Sequence, residues 1–377
     1  MAERREVEND DNDDHNAMGV VPHLPNLVIH QILRYLPSKL AVRMSFLSKN
    51  WAGMWTSLPL IDLQEEIAFY DNIKFNMLEH TKFINFLVRY LELRDKNSPL
   101  EKLRLHMRYR DEDKTVLDRW LSFAAIKSIR ELDNNLMSFT KYRYLHSYCF
   151  PLNILSAKSI TALNLEYVKI IVDDTAERIC FPSLKAVSLK HVSFNSTFFF
   201  NLIYRSLSIE YISMIACSGS TALPDDVLKF TSSSLKSLEL SDSNYSIEVR
   251  AHVNLESFTL VSKLNIRGIT LDRCRNLKYI KIHAPLLNRL DLLGCHDSMK
   301  ATINAPNLIY LAFNGYMNLN FFEETVNLEN GGIVAVRDRK PICKDESWKH
   351  FSTLRDFLNK GYGSCSTSLR LFVFDTG

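Results

Sequence analysis

The sequence predicts an α/β protein: a short three-helix module near the N-terminus, followed by a solenoid of repeats whose strands form a parallel sheet. Three observations predict it. Between residues 24 and 59 apolar side chains recur at helical spacing and are punctuated by prolines. Beyond residue 100 an apolar-x-x-apolar-x-apolar pattern keeps returning. With 46% hydrophobic residues in 377, and apolar runs such as Phe198–Phe200 far shorter than the ~20 residues of a membrane-spanning helix, the apolar content must fill a folded core of roughly two or three domain equivalents.

The formal charge of +3 conceals an asymmetry. Residues 1–19 hold seven carboxylates (Glu3, Glu6, Glu8, Asp10, Asp11, Asp13, Asp14) against Arg4 and Arg5, a net of −5 that leaves +8 for the remainder. Such a segment is expected to be a disordered acidic tail. Elsewhere the cations are dispersed rather than gathered into basic blocks with interleaved aromatics, which argues against nucleic acid as a partner. The N-terminus shows no apolar signal core, so the expectation is a soluble protein of the nucleus or cytoplasm, or both, with no membrane partner. The seven cysteines contain no C-x-x-C pair, which suits reduced thiols. The sequons at Asn195 and Asn244 are then expected to be silent.

In the first helix Val28, Ile32 and Leu36 share a helical stripe, widened by Leu27, Ile29 and Leu33. Pro25 suits its first turn and Pro37 ends it. Ser38 is the expected N-cap of a second helix through Ala41, Val42, Met44, Phe46 and Leu47, and Ser48 that of a third with Trp51, Met54 and Trp55. About forty residues cannot bury so many large side chains alone. Either the following domain or another protein must cover the rest, and apolar residues on more than one helical face favour a partner.

The run Leu24-Pro25-Asn26, Ile29, Ile32-Leu33-Arg34-Tyr35-Leu36-Pro37-Ser38-Lys39, Ala41-Val42-Arg43, Leu47-Ser48-Lys49-Asn50-Trp51, Trp55 and Leu58-Pro59 resembles a plant-type F-box across residues 20–60. The resemblance implies insertion into an SKP-family adaptor, which docks in turn on a cullin scaffold. Asn26 and Asn50 depart from the family pattern, where an acidic and a basic residue are usual. The adaptor-binding residues it implies are Leu24, Pro25, Ile29, Leu33, Pro37, Val42, Leu47, Trp51 and Trp55.

Residues 76–93, with Phe83, Leu87 and Leu91 on one stripe, read as an amphipathic linker helix ending before Asn97-Ser98-Pro99. The repeat pattern then appears at Leu100/Leu103/Leu105, Ile160/Leu163/Leu165, Leu184/Val187/Leu189, Leu235/Leu238/Leu240, Leu255/Phe258/Leu260, Leu277/Ile280/Ile282, Leu287/Leu290/Leu292 and Leu308/Leu311/Phe313, with a degenerate copy at Tyr204/Leu207/Ile209. Its last two apolar positions are two apart and face one side of a short strand. Central positions 163, 187, 207, 238, 258, 280 and 311 step by 24, 20, 31, 20, 22 and 31, with Leu290 dividing the last step. These intervals lie around the ~20–29 residues of leucine-rich repeats. Cys274-Arg275-Asn276-Leu277, Phe181-Pro182-Ser183-Leu184, Ala305-Pro306-Asn307-Leu308 and the tryptophan-bearing stretch 117–132 resemble the plant F-box/leucine-rich-repeat family, which implies a horseshoe. Phe351–Leu358 reads as a helix and Ser368–Phe374 as a strand, similar to the start of that family's C-terminal region.

No bond-making machinery stands out. Gly331-Gly332 and Gly361-Tyr362-Gly363 lack the strand-to-helix context and lysine of a phosphate loop, and no serine sits in a G-x-S-x-G elbow. Cys274, His283, Cys295 and His296 fit no zinc spacing. Glu65-Glu66 and Asp173-Asp174 are adjacent pairs that regular structure aims apart. No cofactor, metal or catalytic residue is expected.

The expected organisation is an acidic tail (1–19), an F-box (20–60), a helical linker (61–99), leucine-rich repeats (100–340) and a C-terminal helix-strand segment (341–377). The function implied is a non-catalytic substrate receptor of an SCF-type (SKP-cullin-F-box) ubiquitin ligase; the alternative is a non-degradative interaction scaffold. Alternation along each strand places Ser188, Glu239, Thr259, Lys281, Asp291 and Ala312 in one concave row, flanked by Ala186, Ser237, Ser257, Tyr279, Arg289 and Tyr310. Tyr279, Lys281, Arg289 and Asp291 are the expected target-binding residues, because Tyr and Arg are enriched where binding energy concentrates.

Overall fold

The computed structural model describes residues 24–66, 73–138, 148–155, 157–172, 181–220, 227–242, 246–249, 254–264, 266, 268–295, 300–308, 310–314, 336–337 and 374–375. The acidic tail at 1–19, Asp173-Asp174, His296, both glycine clusters and the helix at 351–358 lie outside these residues, as does all but Phe374 of the strand at 368–374.

Helix α1 (Asn26–Arg34) starts after Pro25 and α2 (Ser38–Met44) after Pro37, with neither proline offering a side-chain cap. The pyrrolidine ring fixes φ at a value suited to helix entry, and each proline carbonyl accepts from the N–H groups three and four residues on. Ser38 is therefore not the N-cap expected of it. It is the first helical residue, and its buried hydroxyl accepts the backbone N–H of Asp62 at 2.9 Å. In place of a third helix capped by Ser48, turns lead to Gly53, left-handed at φ 74°, and a single 3-10 turn at Met54–Ser57. The buried stripe of α1 is Ile29 and Leu33, whereas Val28 faces outward.

Strand β1 (Leu60–Gln64) leaves the module and pairs in parallel with β2 (Lys102–Tyr109), across helix α3 (Ile73–Leu93). Helix α4 (Lys114–Ile126) leads to β3 (Glu131–Ser138). The chain continues through β4 (Tyr148–Cys149), α5 (Leu152–Leu155), β5 (Ala162–Glu166), β6 (Val168–Ile170), β7 (Ala186–Lys190), β8 (Ser193–Asn195), α6 (Ser196–Arg205), β9 (Tyr211–Ile215), β10 (Ser218–Ser220) and β11 (Val227–Phe230). Then come β12 (Ser237–Ser241), β13 (Ser246–Val249), β14 (Ser257–Val261), β15 (Ile269–Asp272), β16 (Tyr279–His283), β17 (Arg289–Leu293), β18 (Lys300–Asn304) and β19 (Tyr310–Asn314).

These strands sort into a long sheet and a second set. The long sheet is parallel and ten-stranded, in the order β1-β2-β3-β5-β7-β9-β12-β14-β16-β18; the others form a four-stranded sheet, β10-β8-β6-β4, and a five-stranded one, β11-β13-β15-β17-β19. From β4 onward the chain alternates between the long sheet and this second set, except that β10 and β11, consecutive in the chain, both belong to the second set. Leu163, Val187, Ile212, Leu238, Phe258, Ile280 and Ala301 are in register across the long sheet, in steps of 24, 25, 26, 20, 22 and 21. The second set keeps its own period: Leu228, Ile247, Ile269, Leu290 and Leu311 step by 19, 22, 21 and 21. Two sequence expectations are corrected. The degenerate copy at 204–209 spans the end of α6 and the turn after it, and the strand follows at 211–215. The copies at 287–292 and 308–313 end in strands of the second set, not of the long sheet.

Left-handed residues mark the corners between layers. Tyr167, His191, Ala216 and Asp242 have φ of 58°, 51°, 49° and 50°. None is glycine, so each carries a steric cost of about 1–2 kcal/mol. A backbone ladder holds them: their N–H groups donate to the carbonyls of Lys190, Ile215, Ser241 and Val261 in the next strand of the long sheet.

Candidate functional site

The nine residues expected to meet an adaptor separate into two groups. Ile29, Leu33, Trp51 and Trp55 are buried within the chain's own core, and Leu24 and Val42 pack against it. Pro25, Pro37 and Leu47 are exposed. The module also presents large apolar side chains outside that set: Tyr35 and Phe46 are each 87% exposed and Leu27 82%, with Val28 and Leu40 beside them. The signal for them was in the sequence, because α1 and α2 carry apolar residues around more of the helix than one buried stripe can absorb.

The inner face of the module is fused to α3 and α4. Trp55 packs on Tyr90 of α3 with ring centroids 4.7 Å apart, Tyr90 on Trp120 of α4 at 6.0 Å, and Trp120 edge-on to Phe123 at 6.4 Å. The buried Arg94 guanidinium donates to the carbonyls of Leu58 at 2.7 Å and Pro99 at 2.9 Å, closing the end of the module onto β2's approach. Beneath this lies a buried charge cluster. Glu65 accepts from the backbone N–H and the guanidinium of Arg108, with its Oε2 at 2.8 Å from the former and its Oε1 at 2.9 Å from Nε. His80 spans two carboxylates, Nδ1 3.2 Å from Glu65 and Nε2 2.9 Å from Asp113. Burial disfavours the imidazolium, but the hydrogen bonds it donates to Asp113 and Glu65, with their charges, outweigh burial and push the His80 pKa up to about 9. Burial would raise the Glu65 carboxyl, yet His80 and Arg108 hold it below its ordinary value. Glu65 and Arg108 thereby connect β1 and β2, and His80 joins them to α3 and to the start of α4.

A cleft of about 600 Å³ between α3 and α4 is lined by Leu91, Phe123 and Ile126 and rimmed by charges that include Lys96, Arg119 and Lys127. Among the described residues no cluster of His, Cys, Asp or Glu could hold a metal ion. No described helix is long and apolar enough to cross a membrane.

The long sheet's open face is polar. At its start Asp133 accepts from Arg104 Nε at 2.8 Å and lies 2.9 Å from His106 Nε2, while Lys102–Glu131 and Lys190–Glu166 each pair at 2.8 Å. The expected single row of Ser188, Glu239, Thr259, Lys281, Asp291 and Ala312 is corrected by the topology. The first four lie on the long sheet, whereas Asp291 and Ala312 lie on β17 and β19 of the second set, as do Arg289 and Tyr310. Tyr279, 55% exposed, and Lys281 therefore share a face, and Arg289 and Asp291 belong to another layer. Asp291 is only 4% exposed; Arg289 Nε donates to it at 2.7 Å and the Arg289 guanidinium covers the Tyr310 ring at 4.4 Å. The pattern missed this because it reports which residues face the core, not which of two layers a strand joins.

A helical module followed by stacked parallel strands defines a repeat protein with a separate N-terminal helical part. An F-box domain matches residues 21–63, and the repeats of FBD-associated F-box protein At5g56370 match residues 117–322, more than half the chain. This chain belongs to the F-box/leucine-rich-repeat family of FBD-associated F-box proteins. Among Arabidopsis thaliana relatives, FBD-associated F-box protein At5g44490 is 28% identical over 93% of this chain and 69% of its own length. Putative FBD-associated F-box protein At5g22720 is 28% identical over 70% of this chain and 50% of its own length, and putative F-box/LRR-repeat protein At4g15060 is 27% identical over 60% and 50%. The chain thus spans about half the length of two of these relatives.

Proposed function

We propose that this chain is the substrate-recognition subunit of an SCF-type ubiquitin ligase. Its F-box binds an SKP-family adaptor, the adaptor docks on a cullin, and the repeats hold a target protein for ubiquitination. The observation that carries this reading is the set of exposed apolar residues on α1, α2 and the turns that follow them, Leu27, Tyr35 and Phe46 above all, in a chain of the F-box family. So much exposed apolar surface on so short a stretch of chain is what a partner covers. The chain itself makes and breaks no bonds; holding the target's lysines near a charged conjugating enzyme raises their effective concentration.

In this reading an F-box at 20–60, formed by α1, α2 and the 3-10 turn at Met54–Ser57, is followed by a linker at 61–99 and a horseshoe of repeats at 100–340. The tail at 1–19 is dispensable for docking, and the protein works in the nucleus or cytoplasm. The buried residues Ile29, Leu33, Trp51 and Trp55 shape the docking surface from within, and Pro25, Pro37 and Leu47 border it. Tyr279 and Lys281 contribute to the target surface from the open sheet face.

Co-purification with the adaptor and a cullin tests the reading. Tyr35→Ser with Phe46→Ser should abolish adaptor retention, since buried interface aromatics each contribute on the order of 2 kcal/mol. The thermal midpoint should hold, since exposed substitutions change stability by only about 0.5 kcal/mol. Undiminished adaptor retention by the double variant would place the contact elsewhere.

A further inference from the structure

The open face of the long sheet changes character along its length. At its start the outward cations of β2 face carboxylates of β3, as in Arg104–Asp133 and Lys102–Glu131. At its far end, the positions of β14, β16 and β18 that point away from the core contain no carboxylate at all. They present instead Tyr279, Lys281, His283 and Lys300, all exposed. Among the described residues neither Lys281 nor Lys300 has an ion-pair partner, although Lys278 at the strand entrance is paired with Glu256 at 2.7 Å.

The register fixes the spacing of this patch. Tyr279 stands opposite Lys300 and Lys281 opposite Thr302, so the two lysines are diagonal neighbours on adjacent strands. A strand separation of ~4.8 Å and a two-residue rise of ~6.6 Å put their backbones about 8 Å apart. Side chains on alternate residues of an extended peptide are ~6.6–6.8 Å apart, within reach of two flexible lysines. The Tyr279 ring beside them offers an apolar surface with a polar tip.

We propose that this end of the sheet recognises an acidic, extended segment of the target protein, with carboxylates on alternate residues engaging Lys281 and Lys300 and an apolar side chain packing on Tyr279. The inference rests on the reading that the open sheet face holds the target. The paired start of the sheet, already neutralised internally, offers such a segment no comparable attraction.

Selection of a random dodecapeptide library on the purified full chain tests it. Selected peptides should carry an excess of Asp and Glu over the starting library, with alternate-residue pairs. By fluorescence anisotropy at low salt they should bind the Lys281→Glu/Lys300→Glu chain about tenfold or more weakly, because rim charges govern such encounters when screening is low. Tyr279→Ala should weaken them several-fold, and Lys236→Glu, on the sheet's rim and paired with Glu210, should leave them unchanged. Thermal midpoints establish that each variant is folded. Peptides without acidic excess, or with equal affinity for the parent and doubly reversed chains, would overturn the proposal, as would tighter binding of a single-stranded oligonucleotide than of the selected peptides. Adaptor co-purification from the same preparations separates the two readings. Retention of the adaptor with unaltered peptide affinity sinks this inference alone, whereas an unmutated chain that fails to retain adaptor sinks the ligase reading.

Discussion

The helical module and the repeat array are stabilised in different ways. The module at 24–58 relies on a few contacts with the chain beyond it: Trp55 on Tyr90, Arg94 on the carbonyls of Leu58 and Pro99, Ser38 on the backbone of β1, and the charge cluster just beyond. The array from β5 onward instead repeats one small arrangement, with a core row, a corner and a backbone ladder renewed every 20–26 residues. In such an array each unit touches mainly its neighbours. Damage should therefore be large and concentrated at the joint between module and array, and small and local within the repeats.

The sharpest way to break that comparison lies at Arg108. Replacing it with Met keeps most of its apolar stem but leaves the Glu65 carboxylate buried without its guanidinium partner. Removing one member of a buried pair costs about 3–5 kcal/mol, toward the lower end here because His80 still faces Glu65. Urea denaturation should register this loss, and a loss below about 1 kcal/mol would show that the joint is not held by the cluster.

A smaller effect arises at His80. Its folded pKa of about 9 lies above the ordinary value near 6.5, so its contribution is fully present below about pH 6.5 and is lost as pH rises through 9. The difference corresponds to at most about 3 kcal/mol. Glu65, held below its ordinary value, acts on the other side, and its contribution fades as pH falls below about 4.5. Stability measured from pH 6 to 10 should decline in the parent chain and decline less in His80→Gln. Parallel profiles would mean that the imidazole is not held protonated between its two carboxylates.

The two regions also differ in how much of them was legible. The proline-bounded helices, the α3 stripe and the strands at 163, 187, 238, 258 and 280 follow from periodicity and turn chemistry, because each buries a pattern that its own residues define. The aromatic chain from Trp55 to Phe123 was not legible, since it joins residues almost seventy positions apart. Nor was the layer to which a strand belongs. Leu290 and Leu238 occupy identical patterns, but the left-handed corners at Tyr167, His191, Ala216, Asp242 and Arg273 are not glycines and leave no compositional mark, whereas Gly294 alone among the described corners of the array is one. On the site, the apolar excess of the module could be seen, yet which side chains were internal depended on packing by α3 and β1. Asp291 was misplaced because its strand joins the second set.

The corners provide the smallest and most local test. Ala216 turns the chain from β9 to β10 at φ 49°, and its N–H donates to the Ser241 carbonyl at 2.9 Å. Glycine there would relieve about 1 kcal/mol of steric cost and preserve the ladder bond, but it would also free the unfolded chain by about 0.4–1 kcal/mol. The two nearly cancel, so Ala216→Gly should change stability by no more than about 0.5 kcal/mol. Valine at the same position adds branching that a positive φ does not accommodate and should cost about 1–3 kcal/mol. Because each corner is stitched to the next strand, hydrogen exchange in the valine variant should quicken around β9, β10 and β12 while β1, β2 and α3 keep their protection. Equal stability of the glycine and valine variants would mean that the corner is not constrained as described, and loss of protection as far as α3 would erase the distinction between a local array and a concentrated joint.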